Sequence, residues 1–353
     1  MHTEIKTNLA WSAAQLSSDP AWVHRLTAEE LAELNGALAR AMNSDKPLEQ
    51  MHAKDLPLDT LAVTLHRLGV ELENGRGAVR VDGLPSRQYS EKEMRCLFWG
   101  LSQYLGDCVS QSDAGELMMS IKDAGGEPDD PEVRGVHSRG ALQYHTDLCD
   151  VVGMLSLHTA AEGGESLLLS SIAVHDEILR TRPDLLDVLY RPFCYAKPKW
   201  DAPGERLLEM RPIFAVHDGR FVSTYLRDFI DWAQDDPRAP RLQPAQIEAL
   251  DYLDAVCNDP RFSYSFVLEP GQMLFFNSFV TYHSRRSFRN NVDPAQHRNL
   301  LRLWLSVPNS RELPETYRSS YGAVDSGALR GGIHPDTGSG QRVAHNELLG
   351  APA

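Results

Sequence analysis

Basic residues are in short supply: 35 Lys and Arg stand against 49 Asp and Glu, leaving a formal net charge of -14. That balance argues against a surface that follows phosphate backbones, so nucleic acid is not an expected partner. Cysteine is scarce as well. The five present, Cys96, Cys108, Cys149, Cys194 and Cys257, are odd in number and scattered, with no Cys-x-x-Cys spacing. They make neither a zinc framework nor a disulfide lattice, and they fit a reducing cytoplasm. No apolar run approaches the length of about eighteen residues that a membrane helix needs, and no charged start leads into an apolar block and a small-residue cleavage site. Neither a membrane nor export is therefore expected. What is there is a chain of 353 residues with an ordinary 42% hydrophobic content, enough for one large domain with appended helices.

From about 26 to 68 the pattern is helical, broken at Pro47 and Pro57, with a capping box at Thr27-Ala28-Glu29-Glu30 and apolar residues at Leu31, Leu34 and Leu38. A strand at 77–81 and a second capped helix from Ser90 follow. The middle then changes character. Short apolar runs at 117–121, 151–157 and 166–170, bounded by Gly, Asp and Ser, are the signature of strands in an all-β core. Helices are expected at 172–180, 184–189, 228–234 and 244–256. A hairpin is expected across 207–216 and 221–225, turning at His217-Asp218-Gly219-Arg220. The last strands, at 262–268, 273–276, 279–283 and 299–307, are spaced as in a meander or jelly roll. The division read from this is a helical extension over 1–75 packed on the core, a catalytic domain over 76–307, and a tail or lid over 308–353.

The chemistry concentrates at His145-Thr146-Asp147. On an extended segment, residues two apart project from one face, so an imidazole and a carboxylate can grip one ion together. Five of the His residues are followed two positions on by an acid, namely His2, His145, His175, His334 and His345, so the spacing alone is weak. Only His145 and Asp147 lie between extended runs. They supply two thirds of a 2-His-1-carboxylate triad, which holds non-haem Fe(II) and leaves positions open for reactants. His283, in a distant expected strand, is the candidate third ligand; His158, His175, His217 and His297 are the rivals. In the last strand, period two sorts Arg298, Leu300, Arg302 and Trp304 onto one face. Two guanidiniums there either point to water or line a pocket for carboxylates, which Arg binds as a fork.

His145-Thr146-Asp147, Gly163-Gly164-Glu165-Ser166, His283 and then Arg298 with Arg302 form an ordered set that resembles the taurine dioxygenase (TauD/TfdA) family of Fe(II)- and 2-oxoglutarate-dependent oxygenases, over roughly 77–307. The resemblance implies a mainly β fold with flanking helices: a double-stranded β-helix, or jelly roll. It implies that His145, Asp147 and His283 hold the iron, that Ser166 and Arg298 bind the distal carboxylate of 2-oxoglutarate, and that Arg302 meets an anionic group of the substrate. With dioxygen as second cosubstrate, the reaction would release succinate and carbon dioxide and oxidise an unactivated C–H bond of a small polar or carboxylate-bearing metabolite. Halogenases of this type replace the carboxylate with a small residue, so Asp147 points to hydroxylation, desaturation or ring chemistry. A shorter segment between Asp147 and Gly163 sets taurine aside as substrate.

Tyr225 and Arg227, closing the expected hairpin, are candidates to face the substrate. Gln111, Ser112 and Asp113 are candidates to support the pocket, and Cys149 is expected to be shielded from the oxidising centre. Two other readings remain at this level: a non-catalytic jelly roll that binds a metal or small acid, and a zinc hydrolase, which has no need of Arg298. Oligomeric state, a homo-oligomer included, is left open.

Overall fold

A computed structural model describes residues 2–44, 46–125, 135–197 and 207–333. Its centre is a pair of sheets with helices on their outer faces. The larger sheet runs in the order Val23–Arg25, Ala78–Asp82, Met273–Asn277, Val151–His158, Asn299–Ser306, Asp107–Val109, and Met118–Lys122 also pairs with the Asn299–Ser306 strand. The smaller sheet has the order Tyr264–Phe266, Ser166–Ser170, Thr281–Arg285, Leu142–His145. Every pairing in both is antiparallel except that of Val23–Arg25 with Ala78–Asp82.

The alternation of the last strand fixes which way the larger sheet faces. Leu301, Leu303 and Leu305 enter a core shared with the helices Ala28–Met42, Thr60–Asn74 and Glu91–Ser102, while Leu300 and Trp304 turn inward to meet Phe276 and Leu168. Each buried leucine is worth roughly 1.5–3 kcal/mol, and a one-residue slip would exchange all three with Arg302 and its neighbours, so the register is strongly held. The smaller sheet works the same way. Tyr282 and Leu169 pack outward against the helices Ser171–Thr181, Pro183–Leu189 and Pro244–Cys257, which leaves His283 facing in. Thr27 and Ser90 cap their helices reciprocally with Glu30 and Glu93, at about 1 kcal/mol for each cap.

Several elements differ from expectation. The expected run at 207–216 is two strands, Leu208–Pro212 and Phe214–His217, and the first pairs with a strand Pro192–Ala196 that its short, mixed sequence does not announce. The strand expected from 279 begins at Thr281, because 278–280 form a turn that Ser278 ties to Asp147. Beyond 307 the described residues are packed, with Leu313, Tyr317, Tyr321 and Val324 joining Phe279 in a core cluster of their own. Residues 334–353, with the His334 and His345 pairs, lie outside the described residues. Among the described residues no helix is long and apolar enough to cross a membrane.

Candidate active site

Two neighbouring strands of the smaller sheet bring the imidazoles together. His283 and His145 are directly opposed in the ladder, with ring centroids 4.1 Å apart, as cross-strand partners on one face must be. The His145 Nδ1 donates to the Gln143 carbonyl at 2.8 Å, which leaves Nε2 with its lone pair for a ligand. Burial first, and then the charge of His145, push His283 down to about 3 against the pull of Asp147, so it stands as the neutral imidazole that a metal requires.

Asp147 arrives differently from the sequence expectation. The strand ends at His145, and Asp147 lies in the irregular segment after it. The intervening Thr146 is clamped at backbone level, donating its N–H to the Tyr225 carbonyl at 2.8 Å and accepting the Tyr225 N–H on its hydroxyl at 3.0 Å. Burial alone would raise the Asp147 pKa, but Arg302 above all, then His283, His145 and the Trp304 indole N–H, hold it below the usual carboxylate range. Trp304 and Arg302 both reach Oδ2, at 2.9 and 3.3 Å, so Oδ1 is left for an ion. Ligand atoms of His145, Asp147 and His283 all lie within 4.8 Å of one another, and this is the one such group among the described residues. Among the rivals, His175 is held by Asp176 and Tyr190, and His217 by Glu312.

Arg302, expected to meet a substrate anion, borders both cavities with its charge already engaged by the protein. Its Nε donates to Gln111 Oε1 at 2.7 Å and its Nη1 to Asp147, so although it borders the cavities its charge is directed at the carboxylate. Gln111 is itself fixed by donating to the Leu117 and Arg302 carbonyls, which makes it the support the sequence suggested. Cys149 is fully buried, as expected.

His145, Arg302, Val136 and Leu142 separate two cavities. The smaller, about 30 Å³, is apolar apart from His145, His283, Ser166, Ser284, Arg285, Arg298 and Arg302, and among the described residues no carboxylate lines it. Arg298 is buried with its Nη1 lacking any partner, and burial, followed by the charge of Arg285, pulls its pKa down to about 9. A buried fork with an open donor calls for an anion. The Gly-Gly of the 163–166 run makes room for it: both glycines have positive φ, and a Cβ on Gly164 would sit 3.0 Å from the Arg298 Nε. The residues lining the cavity are thus of a kind that suits the carboxylate of a keto-diacid.

The larger cavity, about 190 Å³, opens on the other side of His145 and Asp147. Trp232, Phe229, Trp304, Leu148 and Ile333 give it apolar walls. Its polar wall is a network that sequence reading missed, in which Glu209 bridges Lys197 at 3.0 Å and Arg211 at 3.1 Å, with Arg211 stacked 3.7 Å over Tyr195. The signal was present in the 208–212 strand, where Glu209 and Arg211 are buried while Met210 is exposed, an inversion that period two makes readable only once the buried face is known. Asp228 also borders the cavity, and burial raises its pKa.

Tyr225, the other candidate to face the substrate, does not line this cavity; its side chain lies in the core, with its hydroxyl donating to Asp254 at 2.6 Å. Arg227 does border the cavity, but its guanidinium is taken up by Asp231, Asp251 and Asp254 at 2.9 to 3.0 Å.

Comparison with known proteins decides the family. Residues 44–304 match the family described as taurine catabolism dioxygenase TauD, TfdA family. The chain belongs to that family. A TauD/TfdA member is an oxidoreductase that uses Fe(II), 2-oxoglutarate and dioxygen, and the chain is such an oxygenase. Among its relatives is the FR-33289 synthase of Streptomyces rubellomurinus (strain ATCC 31215), 28% identical over 313 residues that cover 86% of this chain and 91% of the relative. Another is the taurine hydroxylase-like protein SAT17 of Stachybotrys chartarum (strain CBS 109288 / IBT 7711), 26% identical over 312 residues, or 85% of this chain and 79% of that one. In fold it is similar to an asparagine oxygenase solved with Fe(II), 3-hydroxyasparagine and succinate, with a TM-score of 0.65 and 14% identity across 81% of this chain and 93% of the other.

Proposed function

We propose that this TauD/TfdA oxygenase holds its iron through His145, Asp147 and His283, seats 2-oxoglutarate in the smaller cavity with the distal carboxylate on Arg298 and Ser166, and hydroxylates a small polar metabolite in the larger one. The two sheets that enclose the site are, on this reading, the walls of a double-stranded β-helix. The observation that carries the proposal is the placement of His145 between a small cavity that is rich in arginine and, among the described residues, free of carboxylate, and a larger cavity of mixed polarity. Iron with 2-oxoglutarate supplies an oxidant for an unactivated C–H bond as the keto acid loses carbon dioxide. The residues of the chain do the rest. Gln143 fixes the His145 ring, Trp304 and Arg302 hold the Asp147 carboxylate as an anion, and the apolar walls exclude water from the reacting centre.

The polar wall of Lys197, Glu209 and Arg211 and the facing Asp228 favour a substrate with polar groups at both ends and an apolar middle, small enough for about 190 Å³. A carboxylate-bearing or zwitterionic metabolite meets this description; a nucleic acid does not. Five free, buried cysteines accord with work in a reducing cytoplasm. The test is the visible absorbance that Fe(II) and 2-oxoglutarate develop on the anaerobic protein, followed while small acids, amino acids and their amides are added. One class is expected to shift the band and then to be hydroxylated in air with matched succinate release. A band that never forms would overturn the assignment of the site.

A further inference from the structure

Arg285 stands two residues beyond His283 on the same strand, and that spacing returns its side chain to the His283 face. Its Cα is paired with that of Ser166, so it lies across the ladder from the residue assigned to the cosubstrate. Both Arg285 and Arg298 line the smaller cavity, and both place their guanidinium carbons against one ring, 4.9 and 5.1 Å from the Phe288 centroid. Two like charges so close are costly without a counter-ion. The acid whose charge reaches Arg285 is Asp123, which sits 3.3 Å from Arg139 and accepts from Asn290. Arg285 is 5% exposed and its Nε has no partner. Its other end is fully used: Nη2 donates to the carbonyls of Gly140 at 2.5 Å, Ser138 at 2.8 Å and Gly135 at 3.5 Å.

We propose that Arg285 is a second binding residue for the distal carboxylate of 2-oxoglutarate, its open Nε–H completing a two-arginine cradle with Arg298 while its Nη2 ties the occupied cradle to the 135–140 segment. This rests on the seating of 2-oxoglutarate argued above and adds a residue to it. Gly135 and Val136 of that segment wall the larger cavity. Filling the cradle therefore fixes part of the substrate wall.

The test compares two keto acids on the anaerobic Fe(II) protein by the same absorbance: 2-oxoglutarate, and 2-oxopentanoate, which has the same chelating end but a methyl group in place of the far carboxylate. Arg285→Met is expected to weaken 2-oxoglutarate by about 10- to 100-fold, the loss of a charge-assisted contact, and to leave 2-oxopentanoate within about twofold. Equal weakening of both acids would show that Arg285 only braces the 135–140 segment, and no change in either would show that it does neither; both results overturn the proposal. Should Arg285→Met not fold, Arg298→Met answers the same question. With Ser166→Ala added to remove the other assigned partner, a residual preference for 2-oxoglutarate of several-fold is expected there from Arg285, and its absence overturns the proposal. Wild-type protein that fails to bind 2-oxoglutarate would instead remove the cosubstrate site itself, a failure that no variant is needed to see.

Discussion

The two cavities on either side of His145 treat their charges in opposite ways. In the smaller, Arg298 and Arg285 are buried with open donors, and among the described residues no acid lines the cavity with them. In the larger, Arg227 is closed off by three acids, and Arg211 is bonded to Glu209, Ser320 and Thr224. A buried charge left open is costly and marks a place where a ligand of opposite sign belongs; a charge already satisfied marks scaffolding. The difference explains why the cosubstrate can be identified from the protein side and the substrate only by class.

The sharpest way to break this contrast is at the triad. Replacing His145, Asp147 or His283 by Ala is expected to abolish tight iron binding and turnover, by metal analysis and succinate release; undiminished iron affinity in all three would remove the assignment. Next come the two arginines of the last strand, which share a face but not a state. Arg298→Met should raise the 2-oxoglutarate dissociation constant by about 10- to 100-fold with iron binding retained. Arg302→Met should instead weaken iron by about tenfold or more, since it removes the group that holds Asp147 as an anion. The reverse pattern would mean that their roles are exchanged. In the larger cavity, Asp228→Asn is expected to raise the KM for the substrate by about tenfold without altering 2-oxoglutarate binding. Smallest is Tyr225→Phe, which loses one hydrogen bond to Asp254 and about 1 kcal/mol of stability in denaturant unfolding, with kcat and KM within about twofold of wild type. A large effect on KM there would return Tyr225 to the substrate wall.

How much of this the sequence carried depends on how local the signal was. Period two in 299–306 placed Arg298, Arg302 and Trp304 on one face because alternation is a property of the strand itself. The Ser166–Ser170 strand and the Pro244 helix start were legible for the same reason. The direction of Tyr225 was not, since it is set by Asp254 on a helix that follows later in the chain. Arg302 read as free because its partner Gln111 is 191 residues away. Arg285, in His283-Ser284-Arg285-Arg286, carries no local mark that sets it apart from Arg286, which is exposed. Strand alternation returns Arg285 to the His283 face, but the contacts that hold it there, the carbonyls of Ser138 and Gly140, come from a segment about 145 residues earlier in the chain.

The most direct measurement is a crystal structure determined without oxygen, with Fe(II) and 2-oxoglutarate added. The account predicts one metal bonded to His145, Asp147 and His283, and a keto-diacid reaching past His283 with its far carboxylate on Arg298. Metal bound elsewhere, or that carboxylate lying in the larger cavity against Lys197 and Arg211, would contradict it.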